Sequence, residues 1–398
     1  MRLAVVDSHP IQYHAPFFRA LARRLDLTVF FAHRATPADQ AKAGFGVAFD
    51  WDIDLVEGYD HVFLKNVATP PGIERFGGCD TPEIAGRLAH GRFDAVLIHG
   101  WHLKAYLQAA FAAKRLQLPL LVRGDSQLET ARSTIKTVAK SAIYPAFLRL
   151  FDGALYVGKR SQAYWRHYHY PASRLFFSPH CVDSEWFESR ATAAAGAAVR
   201  AKAGLDRGRR TVLFAGKLVP FKRPFDVIEA VAVLNRQGRE VAVLVAGAGE
   251  LGDEMRERAD RLQVGLHHLG FCNQSEMPAV YAASDVLVLP SDAHETWGLV
   301  ANEALACGRP VILSDAVGAG PDLADTSATG RTFPVADVPA LAAAIWDVLS
   351  SPPSPAALAA KSRDYSPAAA AAGVEAALSA LTGPVAARLR RRATRVTI

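Results

Sequence analysis

Cysteine is scarce and scattered in this chain of 398 residues. It has four, Cys79, Cys181, Cys272 and Cys307, and no two stand in a C-x-x-C spacing. That argues against a structural zinc site and a disulfide framework, and fits a reducing cytoplasm. Long apolar runs are missing too: none reaches the ~18–20 residues that span a bilayer. The opening "MRLAVVDSHPIQYH" has one basic residue, a short apolar run and a His-Pro break. It reads as a first buried strand rather than a signal peptide. Acid is absent from the stretch Leu381 to Ile398, which carries Arg388, Arg390, Arg391, Arg392 and Arg395. The net charge of +6 without those five arginines is +1, so the body is nearly neutral and the tail basic. A solvated end is the plain reading of that tail. An anionic partner, membrane phospholipid ahead of nucleic acid, is the functional one.

Half of the residues are hydrophobic and 21% are charged, the balance of a globular protein. The length predicts two domains of roughly 150–200 residues. Short apolar runs alternate with amphipathic stretches: "FDAVLIHG", "LKAYLQAAFAAKRLQ" and "LPLLVRGDS" read as β-α-β. "TVLFAG", "PFDVIEAVAVLNRQG" and "EVAVLVAG" repeat the pattern further on. Such alternation means parallel sheets covered on both faces. The expected division is residues 1–188, a linker over the Ala- and Arg-rich residues 189–208, and a second α/β domain over 209–370. A closing helix that crosses back, with the basic tail, fills 371–398. In such sheets ligands bind beyond the C-terminal strand ends, so two facing domains make a cleft.

Two motifs mislead when read alone. Gly247, Gly249 and Gly252 in "VAVLVAGAGELG" match G-x-G-x-x-G. A dinucleotide site also needs an acid about 20 residues on, and "LHHLGFCNQ" has none. A tight strand-to-helix turn explains the glycines. Asp52 and Asp54 form a D-x-D that could chelate a metal. Yet "FDWDIDLVEGYD" alternates apolar and acidic residues, and a half-exposed strand is the expectation there.

The chemistry concentrates in "SDAHETWGLVANEALACGRPVILSD", where Glu295 and Glu303 stand eight apart. On one continuous helix they would be separated by ~12 Å of rise and ~80° of rotation. That is a poor acid/base couple. Pro290 and Gly298 argue for a loop followed by a helix that ends near Gly308. Glu295 then precedes the helix and Glu303 lies within it, flanking unpaired N–H groups that favour a phosphate. Upstream, "LFAGKLVPFKRPFDVIEA" places Lys217 past a strand end and Lys222 before the next helix, two cations suited to a diphosphate.

These motifs, "GKLVPFK" and "HETWGLVANEALACGRPVILSD" in that order, resemble retaining glycosyltransferases of the GT-B fold, family 4. "VAGAGE", "LGFCNQSEMPAVYAASDVLVLPSD" and "FFSPHCVDSEWF" match the intervening and hinge segments. The resemblance is strong over 209–325 and weaker before 190. It implies an α/β GT-B protein, two Rossmann-like parallel-sheet domains facing a cleft. It implies hexosyl transfer from a nucleotide-diphospho-sugar to a glycan, lipid-linked or polysaccharide acceptor, with retention; the alternatives are a GT-B nucleotide-sugar epimerase or phosphorylase, or a non-catalytic nucleotide-sugar-binding protein. No metal or other cofactor is expected, and no nucleic acid.

The resemblance assigns donor binding to Gly216, Lys217, Lys222, Phe271, Glu295, Thr296, Trp297, Gly298, Leu299 and Glu303. Lys217 and Lys222 would neutralise the diphosphate, Glu295 would hold sugar hydroxyls and Glu303 the ribose. The backbone at Phe271 and Cys272 would meet the base. The first domain departs from the family: "SHPIQYHAPFF" stands where a glycine-rich loop is usual, and Asp125 where many members have histidine. Acceptor-side candidates are therefore His9, Gln12, His14, His99, His102 and Asp125, with core-packed histidines the alternative. Asp125 and His102 are the expected catalytic groups beside Lys222 and Glu295. Arg132, Lys136 and Lys140 at i, i+4, i+8 would make a basic stripe, a solvated face or a membrane-surface helix. The expected location is the cytoplasm, or the inner face of the plasma membrane.

Overall fold

The computed structural model describes residues 1–41, 44, 46–129, 134–206, 208–324 and 326–382. Arg132, the side chain of Lys136 and the five tail arginines lie outside the described residues. Seven strands build the first sheet: β1 (Arg2–Asp7), β2 (Asp26–Phe31), β3 (Asp60–Phe63), β4 (Ala95–Ile98), β5 (Leu120–Gly124), β6 (Gly153–Tyr156) and β7 (Leu175–Phe177). Six build the second: β8 (Arg210–Ala215), β9 (Val241–Ala246), β10 (Leu266–His268), β11 (Val286–Leu289), β12 (Val311–Ser314) and β13 (Gly330–Phe333). The orders are β3-β2-β1-β4-β5-β6-β7 and β10-β9-β8-β11-β12-β13, and every pairing is parallel.

Both sheets reverse direction in the same way. The chain leaves β1 toward β2 on one side and returns to β4 on the other; β8, β9 and β11 do likewise. Each domain therefore has a crevice at its strand C-termini, between β1 and β4 and between β8 and β11. Strands such as "VAVLVA" are apolar on both faces because helices cover both sides. Val5, Leu3 and Leu97 pack on one face of the first sheet, Val6, Val96 and Ile98 on the other.

The alanine-rich stretch expected as a linker is helical. Helices Ser184–Arg190 and Ala193–Lys202 are capped by Asp183, which accepts from Trp186 N, and by Thr192, which accepts from Ala195 N. Alanine's helix propensity and these two caps suffice to order it. The second helix packs so tightly on the second domain that a Cβ on Gly196 would sit 2.5 Å from the Ala282 carbonyl oxygen. At the other end, helix Pro367–Thr382 crosses back and buries Ala370, Val374 and Leu378 with Leu3 and Val5 of the first domain.

The strand expected around Asp52 and Asp54 is not there; residues 49–56 are a loop and β3 starts only at Asp60. Side-chain hydrogen bonds to backbone account for this. Asp54 Oδ1 accepts from the N–H groups of Val56 and Glu57 at 2.8 and 3.0 Å, closing a turn. Asp52 accepts from Ser275 N of the other domain at 3.1 Å. The two acids are spent on different partners and share no strand face.

The glycines of "VAGAGE" serve packing. Gly247 and Gly249 have φ of +153° and +154°. A Cβ on Gly247 would lie 1.8 Å from the Gly216 carbonyl oxygen, and one on Gly249 2.5 Å from that of Leu218. The loop after β9 thus presses directly on the loop after β8. Gly247→Ala is expected to cost on the order of 2–4 kcal/mol, read as a lowered denaturation midpoint. An unchanged midpoint would remove this close approach as the reason for the glycine.

Candidate functional site

The two crevices face each other across a cleft of about 440 Å³. From the second domain, β8 ends in Gly216, whose φ of +145° lets the chain turn out of the sheet with Lys217 next. The one-turn helix Pro220–Lys222 and a left-handed Arg223, φ +52°, then lead into helix Pro224–Arg236. After β11 the chain makes the loop 290–299. Gly298 turns it at φ +97°, where a Cβ would meet Leu289 Cδ2 at 2.5 Å. The loop is pinned from outside: Gly318 N donates to Glu295 O at 3.0 Å and Ala319 N to Trp297 O at 3.1 Å. The Trp297 indole is 4% exposed and its Nε1 donates to Asn302 Oδ1 at 2.8 Å. Trp297 is the floor of the loop more than a ligand group. The helix after it, Val300–Ala306, is a short one.

The two glutamates have opposite surroundings. Glu295 pairs with Lys222 and accepts from Ser291 Oγ at 3.3 Å. Glu303 is 2% exposed, accepts from Tyr281 Oη at 2.6 Å, and is also bonded by Tyr13 and Gln274. Burial pushes its carboxyl up to about 7, against the pull of those three donors. Lys217 is moved down, by burial first and then by the Lys222 ammonium beside it. Two ammonium groups thus stand together in the cleft, one of them paired with Glu295.

The first domain contributes Gln12 and Tyr13 from the loop after β1, Trp51, Asp125 after β5, and His180 at the crossing between domains. Thr296 Oγ1 donates to Asp125 Oδ2 at 2.6 Å across the interface, and His180 Nε2 lies 3.9 Å from the same oxygen. Burial would raise Asp125, but the His180 and Thr296 contacts outweigh it and hold the carboxyl well below the usual range. Burial pushes the His180 imidazolium down to about 4. That keeps His180 neutral at pH 7.

Of the residues expected from sequence, Gly216, Lys217, Lys222, Phe271, Glu295, Thr296, Trp297, Gly298, Leu299 and Glu303 all line this cleft, with Gln12 and Asp125. His9, His14, His99 and His102 do not. His102 is exposed and edges onto Tyr106, ring centroids 5.4 Å apart. His9 Nδ1 is 3.0 Å from Ser8 Oγ. His14 and the buried His99 converge on Asp7, at 2.6 and 3.3 Å. Among the described residues these three are the cluster able to hold a metal ion. Sequence reading missed Tyr13, Trp51, His180, Gln274 and Tyr281. His180 carried a signal, a histidine at the end of a strand-to-hinge segment, "FFSPHCVD". The others look like ordinary core or loop residues until the two domains are brought together.

This two-domain architecture with a shared cleft is the GT-B fold. Residues 197–365 match the family model of glycosyl transferases group 1. The chain is 30% identical over 297 residues to a D-inositol 3-phosphate glycosyltransferase of Saccharomonospora viridis, covering 70% of this chain and 62% of that one. It is 28% identical over 251 residues to a GDP-mannose-dependent alpha-(1-6)-phosphatidylinositol monomannoside mannosyltransferase of Mycolicibacterium smegmatis, covering 61% and 62%. In both cases the match spans less than two thirds of the relative's own length. Among solved structures, Anabaena HepE in complex with UDP superposes with a TM-score of 0.72 at 18% identity, over 96% of this chain and 100% of that one.

The Glu303 carboxyl makes stability depend on pH. Its folded value, about 7, lies above the ordinary carboxyl value, so the folded state holds the proton more tightly. The resulting stability is fully present below about pH 4.5 and is lost as pH rises through about 7, on the order of 3 kcal/mol. Glu303→Gln removes that loss. Melting curves without ligand should show the variant gaining on the wild type between pH 5 and pH 8; a constant difference would mean the carboxyl titrates normally.

Proposed function

We propose that the protein is a retaining glycosyltransferase of family 4 type. It would move a hexose from a nucleotide-diphospho-sugar to a glycan, lipid-linked or polysaccharide acceptor. One observation carries this reading: Lys217, Lys222, Glu295 and Glu303 converge on a single cleft at the C-terminal ends of β8 and β11. A sugar nucleotide presents sugar hydroxyls, two phosphates and ribose hydroxyls, and these four residues offer a partner of the right kind for each. The group 1 match over 197–365 supports the same reading. So do the HepE complex with UDP and the GDP-mannose-dependent relative, which between them leave the base open.

On donor binding the diphosphate joins Lys217 and Lys222, relieving the like-charge contact between them. Glu295, sharing Lys222, is placed for the sugar hydroxyls, and Glu303 for the ribose. The two ammonium groups stabilise the leaving diphosphate, so no metal is asked of that step. The glycosidic C–O bond to phosphate breaks. The acceptor hydroxyl attacks the same face, and a diphosphate oxygen takes its proton. Asp125 lines the cleft and His102 does not, so Asp125 is the residue assigned to orient the acceptor hydroxyl. A lipid-linked acceptor is favoured by helix Thr134–Phe147, where Val138 and Ile143 are 64% and 60% exposed near Lys140. That helix, exposing apolar residues beside Lys140, would hold the enzyme at the inner surface of the plasma membrane.

A thermal-shift panel of UDP, GDP, ADP and CMP tests the pocket. One diphosphate is expected to raise the melting temperature in proportion to its affinity, and no response to any of them would remove the nucleotide reading. With the matching sugar donor, Lys222→Ala and Glu295→Ala should lower transfer at least a hundredfold while remaining folded. Transfer at the wild-type rate in either variant would favour a binding protein over an enzyme. NMR of the product should show the donor's anomeric configuration kept; an inverted product would exclude the front-face route.

A further inference from the structure

We infer that Asp7, His14 and His99 form a binding site for one divalent d-block cation, of the Zn²⁺ class, at the switch point of the first sheet. β1 ends on Asp7 and His99 follows directly on β4, so the fold brings the two side by side. His14 stands at the N-cap of helix Ala15–Ala22, at the far end of the loop that leaves β1. One donor atom from each residue can be chosen so that all lie within 4.8 Å of one another. Asp7 Oδ2 is 2.6 Å from His14 Nδ1 and 3.3 Å from His99 Nδ1. A tetrahedral zinc ion with bonds of ~2.0–2.1 Å keeps its ligand atoms about 3.4 Å apart. The Asp7–His99 spacing already matches. His14, at the partly exposed edge, has only to draw back by a fraction of an ångström.

His99 supplies the independent observation. It is 9% exposed, its Nδ1 approaches Asp7 Oδ2 at 3.3 Å, and neither ring nitrogen makes a hydrogen bond of good geometry. Buried imidazoles are normally bonded through at least one nitrogen. An Asp7–His14 hydrogen bond alone would explain His14 and leave His99 orphaned, whereas an ion at Asp7 Oδ2 gives His99 a partner. The other carboxylate oxygen, Oδ1, is taken by Ser8 N at 2.8 Å and Tyr106 Oη at 3.3 Å. Those bonds orient the carboxylate as outer partners of a metal ligand do. Two imidazoles and one carboxylate suit Zn²⁺, Co²⁺ or Fe²⁺, not Mg²⁺ or Ca²⁺.

The site has a structural consequence for the cleft. Its first two ligands bracket residues 8–13, and Ile11, Gln12 and Tyr13 of that loop line the cleft. A bound ion would staple this wall, including Tyr13, the partner of Glu303. The site is separate from Lys217 and Lys222, and the inference does not depend on which reaction the cleft performs.

The full-length protein, stripped with EDTA and dialysed, is titrated with Zn²⁺ and separately with Co²⁺. The expected result is one equivalent bound, a raised melting temperature, and visible absorption from the Co²⁺ form; Mg²⁺ should do none of these. His14→Ala, Asp7→Asn and His99→Gln should each weaken binding at least tenfold. Should a variant of the two buried ligands fail to fold by circular dichroism, His14→Ala decides, because its position is partly exposed. No binding by the wild type, or equal binding by His14→Ala, overturns the site.

Discussion

The turn at Gly298 is the constraint on which the cleft depends. Its left-handed backbone, at φ +97° and with Leu289 2.5 Å from where a Cβ would be, brings the chain from β11 back over the strand ends. Without it the segment from Ser291 to Ala306 would run on as one piece, and the two glutamates could not address one ligand. With it, Glu295 faces Lys222 on the loop from β8, while Glu303 drops into the buried corner made by Tyr281, Tyr13 and Gln274. The turn is held by groups outside itself: the Gly318 and Ala319 N–H donors and the anchored Trp297 indole. A loop bonded to its neighbours in this way holds its carboxylates where the fold sets them.

The difference between the two carboxylates follows from that placement. Glu295 has a cation beside it. Glu303 has neutral hydroxyl and amide donors and is 2% exposed, so burial governs it and raises it to about 7. A ligand with hydroxyls replaces nothing at Glu303 except hydrogen bonds. A ligand with phosphate at Lys222 competes with an existing ion pair. The geometry thus favours a ligand that satisfies both ends at once, because drawing Lys222 from Glu295 leaves Glu295 needing donors, and sugar hydroxyls are donors.

The parallel sheets, the loop–helix break and the two lysines were legible because each rests on local chemistry: apolar runs, a Pro and a Gly, a cation after a strand. All the expected donor residues line the cleft for the same reason, since they follow the ends of β8, β10 and β11. Errors came where a side chain chose a distant or backbone partner. Asp52 and Asp54 alternate with Trp51 and Ile53 as on a strand, yet Ser275 and the Val56 and Glu57 amides claim them. The first-domain histidines have two equal expectations from sequence, the cleft or the core. The fold turns His14 and His99 inward to Asp7, and the crossing residue His180 takes the place at Asp125. No periodicity in one strand records which residue of another domain will stand opposite.

The same cross-domain bonds explain how so open a cleft is kept narrow. On one side Thr296 grips Asp125 and Gln127 Nε2 donates to Ala293 O at 3.2 Å. On the other, Asn273 Nδ2 donates to Asp50 O at 2.8 Å beside the Phe49–Phe271 ring contact, centroids 4.3 Å apart. Behind both, buried Asp322 accepts from Lys159 N and Tyr365 Oη, joining three segments of chain away from the opening. Asp322 itself is buried, while the contacts at the cleft rim are polar bonds, Asp52–Ser275 among them, beside the Phe49–Phe271 rings. Bonds of that kind contribute about 1 kcal/mol each, so the rim is held by the sum of several modest contacts. Any widening of the cleft must break Thr296–Asp125, Asn273–Asp50 and Asp52–Ser275 together, so three separate bonds from two loops of the first domain set its width.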